Sequence, residues 1–140
     1  MARKINVLMV DDSRTVLAQL ERILEEVADV AIVGTGRDGA AAIRMATEVK
    51  PDLVLLDIVM PGLDGLSALR TIKSMHPWIE VAMVSSVGGD AQKAEEAFRL
   101  GACQVLGKPF DPDVIEALVE NVRAAVEDRP PTDASDGGTV

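Results

Sequence analysis

Short apolar runs and amphipathic stretches take turns along this chain five times over, and few architectures satisfy that rhythm. Ile5 to Val10 reads Ile-Asn-Val-Leu-Met-Val and stops abruptly at two acids, the pattern of a strand buried on both faces of a parallel sheet. Runs of ordinary strand length recur at Val30 to Gly34, Leu53 to Leu56, Val81 to Val84 and Cys103 to Leu106. Between them Val16, Leu20, Ile23, Leu24 and Val27 fall at helical spacing, and helical patterns follow over Ala40 to Val49, Leu66 to Met75, Ala91 to Leu100 and Pro112 to Val126.

Strict alternation implies right-handed crossovers and a parallel sheet covered on both faces, because each helix must bury its apolar stripe against that sheet. The expectation is an α/β fold: a doubly wound five-stranded parallel sheet in a three-layer sandwich. Five strands fit the flavodoxin-like order 2-1-3-4-5, whose switch point falls beside the first and third strands, so function should sit at the C-terminal ends of those strands.

The 140 residues fit one domain, and 48% hydrophobic with 26% charged residues suits a folded globular chain. We expect the domain over residues 1–127 and a flexible tail over 128–140, which is rich in Pro, Gly and small polar residues. A net charge of -9 argues against a nucleic-acid surface, which needs clustered Lys and Arg. The lone Cys103 cannot form an internal disulfide, and the N-terminal apolar run is too short for a signal sequence or membrane span. A cytoplasmic setting without membrane contact is therefore expected.

Asp11 and Asp12 follow the first predicted strand and Asp57 follows the third, so the topology brings three carboxylates to one edge. Clustered carboxylates raise one another's pKa values unless a cation intervenes, and hard oxygen ligands suit magnesium or manganese. Lys108 follows the fifth strand and Ser85 ends the fourth, which adds an ammonium and a hydroxyl at the same edge. Together these groups suit in-line phosphoryl transfer with Asp57 as nucleophile. Taken singly, each has a plainer role: Asp11, Asp12 and Ser13 as helix caps, Asp57 as a turn residue, Lys108 and Ser85 as solvated loop groups. Four plain roles converging on one edge is the harder account.

Taken in order, Val10-Asp11-Asp12-Ser13, Leu56-Asp57-Ile58-Val59-Met60-Pro61-Gly62-Leu63-Asp64-Gly65, Val84-Ser85-Ser86 and Gly107-Lys108-Pro109-Phe110 resemble the receiver domain of two-component response regulators. The resemblance spans residues 5–127 and implies a phosphorylatable switch in which Asp57 accepts a phosphoryl group from a histidine kinase. It implies Mg2+ held by Asp12 and Asp57, by Asp11 through water and by the Val59 backbone carbonyl. It also implies phosphate contacts from Ser85 and Lys108 and a cis peptide between Lys108 and Pro109. In such a receiver the surface from about Ala91 to Val126 binds a downstream target or a second receiver, so a monomer or a phosphorylation-dependent dimer is expected. The chain would be no enzyme beyond its own phosphorylation and dephosphorylation.

Ser85-Ser86 with Gly88-Gly89 resembles the receivers of chemotaxis methylesterases and some chemotaxis regulators more than those of transcription factors. Two features depart from the usual receiver. Val105 stands where an aromatic switch residue is common, and Val59 and Val87 are apolar where many relatives carry polar residues, which predicts slow self-dephosphorylation.

Two other classes fit the residues less well. A Mg2+-dependent phosphatase with an aspartyl nucleophile would want a second acid at position 59, and Val59 removes that general acid. A flavin or nucleotide site would need a Gly-rich loop after the first strand, where Asp11-Asp12 instead repels phosphate. Elsewhere His76 is expected to cap the third helix as a cation rather than to serve a phosphorelay, Cys103 to pack in the fifth strand, Trp78 to cover the core rather than to anchor a partner, and the methionines to fill the core.

Overall fold

The computed structural model describes residues 3–86 and 91–128; the expected tail after Asp128, together with Val87 and the Gly88-Gly89 pair, lies outside them. Strands β1 (Ile5–Val10), β2 (Val30–Gly36), β3 (Leu53–Asp57), β4 (Glu80–Ser85) and β5 (Gln104–Gly107) alternate with helices α1 (Arg14–Glu25), α2 (Gly39–Val49), α3 (Gly65–Met75), α4 (Ala91–Arg99) and α5 (Pro112–Glu127). Every pairing is parallel, in the order β2-β1-β3-β4-β5. The doubly wound three-layer architecture is as the alternation required.

The period of two along each strand divides the core into two layers. Val7, Met9, Leu53, Leu55, Ala82 and Val84 face α1 and α5, meeting Leu20, Leu24, Ile115 and Val119. Leu8, Val10, Val54, Leu56, Val81 and Met83 face the other way, toward Ala46, Leu69, Ile72 and Ala97. Burial of each such Val or Leu contributes roughly 1.5–3 kcal/mol, which is why the central strands read as continuous apolar runs. Helix starts are fixed by side-chain caps from Ser13, Asp38, Asp64 and Asp111, each accepting a backbone N–H, worth about 1 kcal/mol apiece.

Several local expectations are corrected. β2 extends past Gly34 to Gly36, because Gly34, Thr35 and Gly36 pair with Leu8, Met9 and Val10 after a register shift. β5 begins at Gln104, one residue after Cys103. Cys103 is exposed rather than packed inside the strand; its thiol lines a shallow depression with Glu80 and Leu118, where desolvation and the Glu80 charge push its pKa up to about 11.

Trp78 is 43% exposed and Met75 49%, so neither fills the core. The Trp78 ring stands edge-on to His76, centroids 5.3 Å apart. His76 does cap α3, but through its backbone N–H to the Ile72 carbonyl. Desolvation, then the Lys50 charge, lowers its pKa, and its Nε2 lies 3.0 Å from the Thr47 hydroxyl. Both effects disfavour the cationic form that a role on the helix dipole would call on.

Candidate functional site

The ladders place the expected residues at one edge by register. Val10 pairs with Leu56, Asp57 with Val84, and Ser85 with Gly107, so Asp11, Asp57, Ser85 and Lys108 leave the C-terminal ends of four neighbouring strands. The backbone continues the arrangement: Ile58 N–H donates to the Val84 carbonyl at 3.1 Å, and Lys108 N–H to the Ser85 carbonyl at 3.1 Å. The Lys108–Pro109 peptide is cis.

Carboxylate oxygens of Asp11, Asp12 and Asp57 lie within 4.8 Å of one another. Asp11 and Asp57 are buried, at 1% and 6% exposure, while Asp12 faces solvent. Asp11 Oδ1 accepts the Ser13 N–H at 2.8 Å and Asp57 Oδ1 the Val59 N–H at 3.3 Å. Asp11 Oδ2 is buried with no hydrogen bond, and its nearest cation is the Lys108 ammonium at 3.7 Å.

The electrostatics follow from this crowding. Desolvation first, and then the Asp11 charge, push the Asp57 pKa up to about 6, against the opposing pull of the Val59 N–H and Lys108. Desolvation likewise raises Asp11. A carboxylate trio in which Asp11 and Asp57 have raised proton affinity, with one orphaned buried oxygen, is a donor set that a hard divalent cation would satisfy.

Ser85 is half-buried, and its hydroxyl lies 3.4 Å from the Ser86 carbonyl. Val59 is 60% exposed at the mouth of the site. Val105 takes the position of the missing switch aromatic and packs partly buried against the α2–α3–α4 layer. Gly65 is pressed against the site from behind: an added Cβ would overlap the Asp57 carbonyl oxygen and lie 2.7 Å from Ile58 Cα, so the turn into α3 admits no side chain there.

One group at this edge was not anticipated from sequence. Arg37 Nη2 donates to the Asp12 carbonyl at 3.2 Å. The available signal was its position just past β2, the neighbour of β1, and it was hidden by ending that strand two residues early.

A family model described as the response regulator receiver domain matches residues 7–120. Among solved structures, the response regulator domain of Thermotoga maritima CheB superposes with a TM-score of 0.77 at 36% identity, covering 91% of this chain and all of that one. The CheX-CheY-BeF3-Mg complex from Borrelia burgdorferi gives a TM-score of 0.78 at 31% identity, covering 86% of this chain and 90% of the other. A protein-glutamate methylesterase/protein-glutamine glutaminase of Myxococcus xanthus is 40% identical over 105 residues, 75% of this chain but 30% of the relative. Its counterpart in Thermotoga maritima is 37% identical over 137 residues, 93% of this chain and 40% of the relative. The chain thus spans well under half the length of these curated relatives. With the topology, the acidic edge and these matches together, the chain belongs to the response regulator receiver family, a phosphorylatable aspartate switch of two-component signalling related to the receivers of CheB chemotaxis proteins.

Proposed function

We propose that Asp57 is the phosphoacceptor, that Asp11, Asp12, Asp57 and the Val59 backbone carbonyl hold Mg2+, and that Ser85 and Lys108 receive the phosphoryl oxygens. The observation that carries this reading is the meeting of three carboxylates from two strand ends within 4.8 Å, with one buried oxygen left without a hydrogen bond. Bound Mg2+ would neutralise charge on the transferred group.

An Asp57 carboxylate oxygen attacks the phosphorus of a histidine kinase's phosphohistidine. A P–O bond forms as the P–N bond breaks, and the imidazole leaves with the electron pair and takes up a proton. The new acyl phosphate places about two negative charges at the edge. Lys108 then exchanges Asp11 for a phosphoryl oxygen, and the Ser85 hydroxyl turns from the Ser86 carbonyl to donate to another. Because both residues terminate strands beside α4 and α5, their movement repacks the loops of that face.

The face formed by α4, β5 and α5, about Ala91 to Val126, is the surface offered to a downstream target or a second receiver. Two large apolar side chains stand exposed on it, Phe98 at 52% and Val114 at 40%. The chain matches only about 30% of the Myxococcus xanthus relative, and we assign it the switch alone, without the esterase or glutaminase chemistry named for that protein. A chemotaxis role rests on the same kinship.

Incubation with acetyl phosphate and Mg2+, followed by intact mass measurement, tests the assignment. Wild type gains one phosphoryl group and Asp57→Asn gains none. An unmodified wild type, or an Asp57→Asn protein modified as fast, overturns it. Sustained donor hydrolysis in great excess over adduct would instead favour a phosphatase.

A further inference from the structure

The sheet ladder does not by itself set the spacing of the acidic cluster. Pairing between β1 and β3 ends at Val10 and Leu56, and beyond it the Asp11–Asp12 loop and the loop from Ile58 to Asp64 run free of each other's backbone. A third segment touches both. The β2–α2 turn is anchored where Asp11 N–H donates to the Gly36 carbonyl at 3.1 Å. From there Arg37 Nη2 reaches the Asp12 carbonyl at 3.2 Å. Asp38 caps α2 through the Ala41 N–H at 2.8 Å, which fixes the next residue, Gly39, at the helix start.

Gly39 is buried and lies against the Leu63 backbone. An added Cβ there would overlap the Leu63 carbonyl oxygen and sit 3.0 Å from its carbonyl carbon. That loop is already closed at its inner end, where Gly65 N–H donates to the Ile58 carbonyl at 2.8 Å. Leu63 is therefore the outer point at which its position can be set.

We infer that the Arg37–Gly39 turn is a spacer between the two carboxylate-bearing loops, with Arg37 holding the Asp12 side and Gly39 seating the Asp57 side, so that both are positioning residues for the cation site. The inference rests on the reading of that cluster as the Mg2+ and phosphoryl site.

The sign of the Arg37 effect separates positioning from simple charge. Removing an exposed cation held at the Asp12 backbone should by itself leave Mg2+ binding equal or tighter, because a like charge near the site is gone. Releasing the Asp12 carbonyl should weaken it, because the carboxylates are no longer held at a common spacing. An exposed hydrogen bond of this kind corresponds to about a three- to tenfold change in affinity.

The test is calorimetric titration of Mg2+ into the full chain as wild type, Arg37→Ala, Arg37→Lys and Gly39→Ala, with the melting temperature of each recorded without metal. The expected result is Mg2+ affinity lowered about three- to tenfold in Arg37→Ala at unchanged melting temperature. Arg37→Lys should recover most of that loss, and Gly39→Ala should lose at least as much as Arg37→Ala. Equal or tighter binding by Arg37→Ala overturns the inference, as does wild-type affinity in a folded Gly39→Ala. Should Gly39→Ala not fold, the two Arg37 variants decide alone. A wild type that binds no Mg2+ and takes up no phosphoryl group overturns the underlying reading, and the spacer role with it.

Discussion

The Lys108 ammonium stands 3.7 Å from the buried Oδ2 of Asp11, the carboxylate oxygen left with no hydrogen bond in the acidic cluster. The same cation pulls down the proton affinity of both Asp11 and Asp57. Replacing it with an uncharged side chain of similar length, Lys108→Met, should raise the Asp57 titration above its value of about 6. Carboxyl-carbon NMR across pH 4–9 in metal-free buffer reads this directly, and an unmoved Asp57 titration would show that Lys108 is too far away to matter.

Asp57 makes the metal-free fold pH-sensitive in a defined direction. Its pKa is about 6 when folded and near 3.8 when unfolded. Between those values the folded protein keeps a proton that the unfolded chain has lost, so raising pH through this window lowers stability, by up to about 3 kcal/mol above it. Asp57→Asn should therefore melt at the same temperature as wild type near pH 3.5 and progressively higher as pH climbs, with the gap constant above about pH 7. Paired melting curves check this; a gap that shrinks with rising pH contradicts it.

Val59 is 60% exposed and apolar at the mouth of the site, where it offers a water molecule no hydrogen bond. Phosphoryl loss from Asp57 should consequently be slow, and Val59→Asn should shorten the phosphorylated lifetime by roughly tenfold, in line with a positioned polar group acting on water. Val59→Ala serves as the control with no polar atom. If Val59→Ala shortens the lifetime just as much, bulk rather than polarity controls the attack.

Gly65 admits no side chain because the Asp57 carbonyl oxygen and Ile58 Cα occupy the space a Cβ would need. Gly65→Ala should cost about 1–3 kcal/mol of stability through backbone displacement and should slow phosphorylation, since the displaced residue is Asp57 itself. Denaturant melts and the acetyl phosphate reaction measure the two effects. Stability at the wild-type level would mean that the α3 start slides away without disturbing β3.

Much of the architecture was legible because the physics involved is local. Leu8 and Met9, or Leu55 and Leu56, are adjacent apolar residues that face opposite layers, and only a strand covered on both sides can bury both. Ser13 announced a helix start through a side chain that reaches only three residues along. What failed was set by neighbours distant in sequence. Thr35 and Gly36 fall beyond the expected end of the second strand at Gly34 and are strand because β1 supplies the hydrogen bonds. Trp78 looks like a core residue and stands exposed beside His76.

The same division holds at the site. Asp11, Asp12, Asp57, Ser85 and Lys108 could be singled out because each sits at the end of an apolar run, and parallel topology sends all such ends to one edge. The amino-acid order therefore determined which chemistry the edge could carry. The tertiary structure alone decided that Asp11 Oδ2 is buried without a hydrogen bond, that Asp57 titrates near 6, and that Arg37 and Gly39 reach across to the Asp12 and Leu63 carbonyls. Burial, desolvation and contact across dozens of residues depend on three-dimensional distance, which a periodicity of two or three and a half residues does not encode.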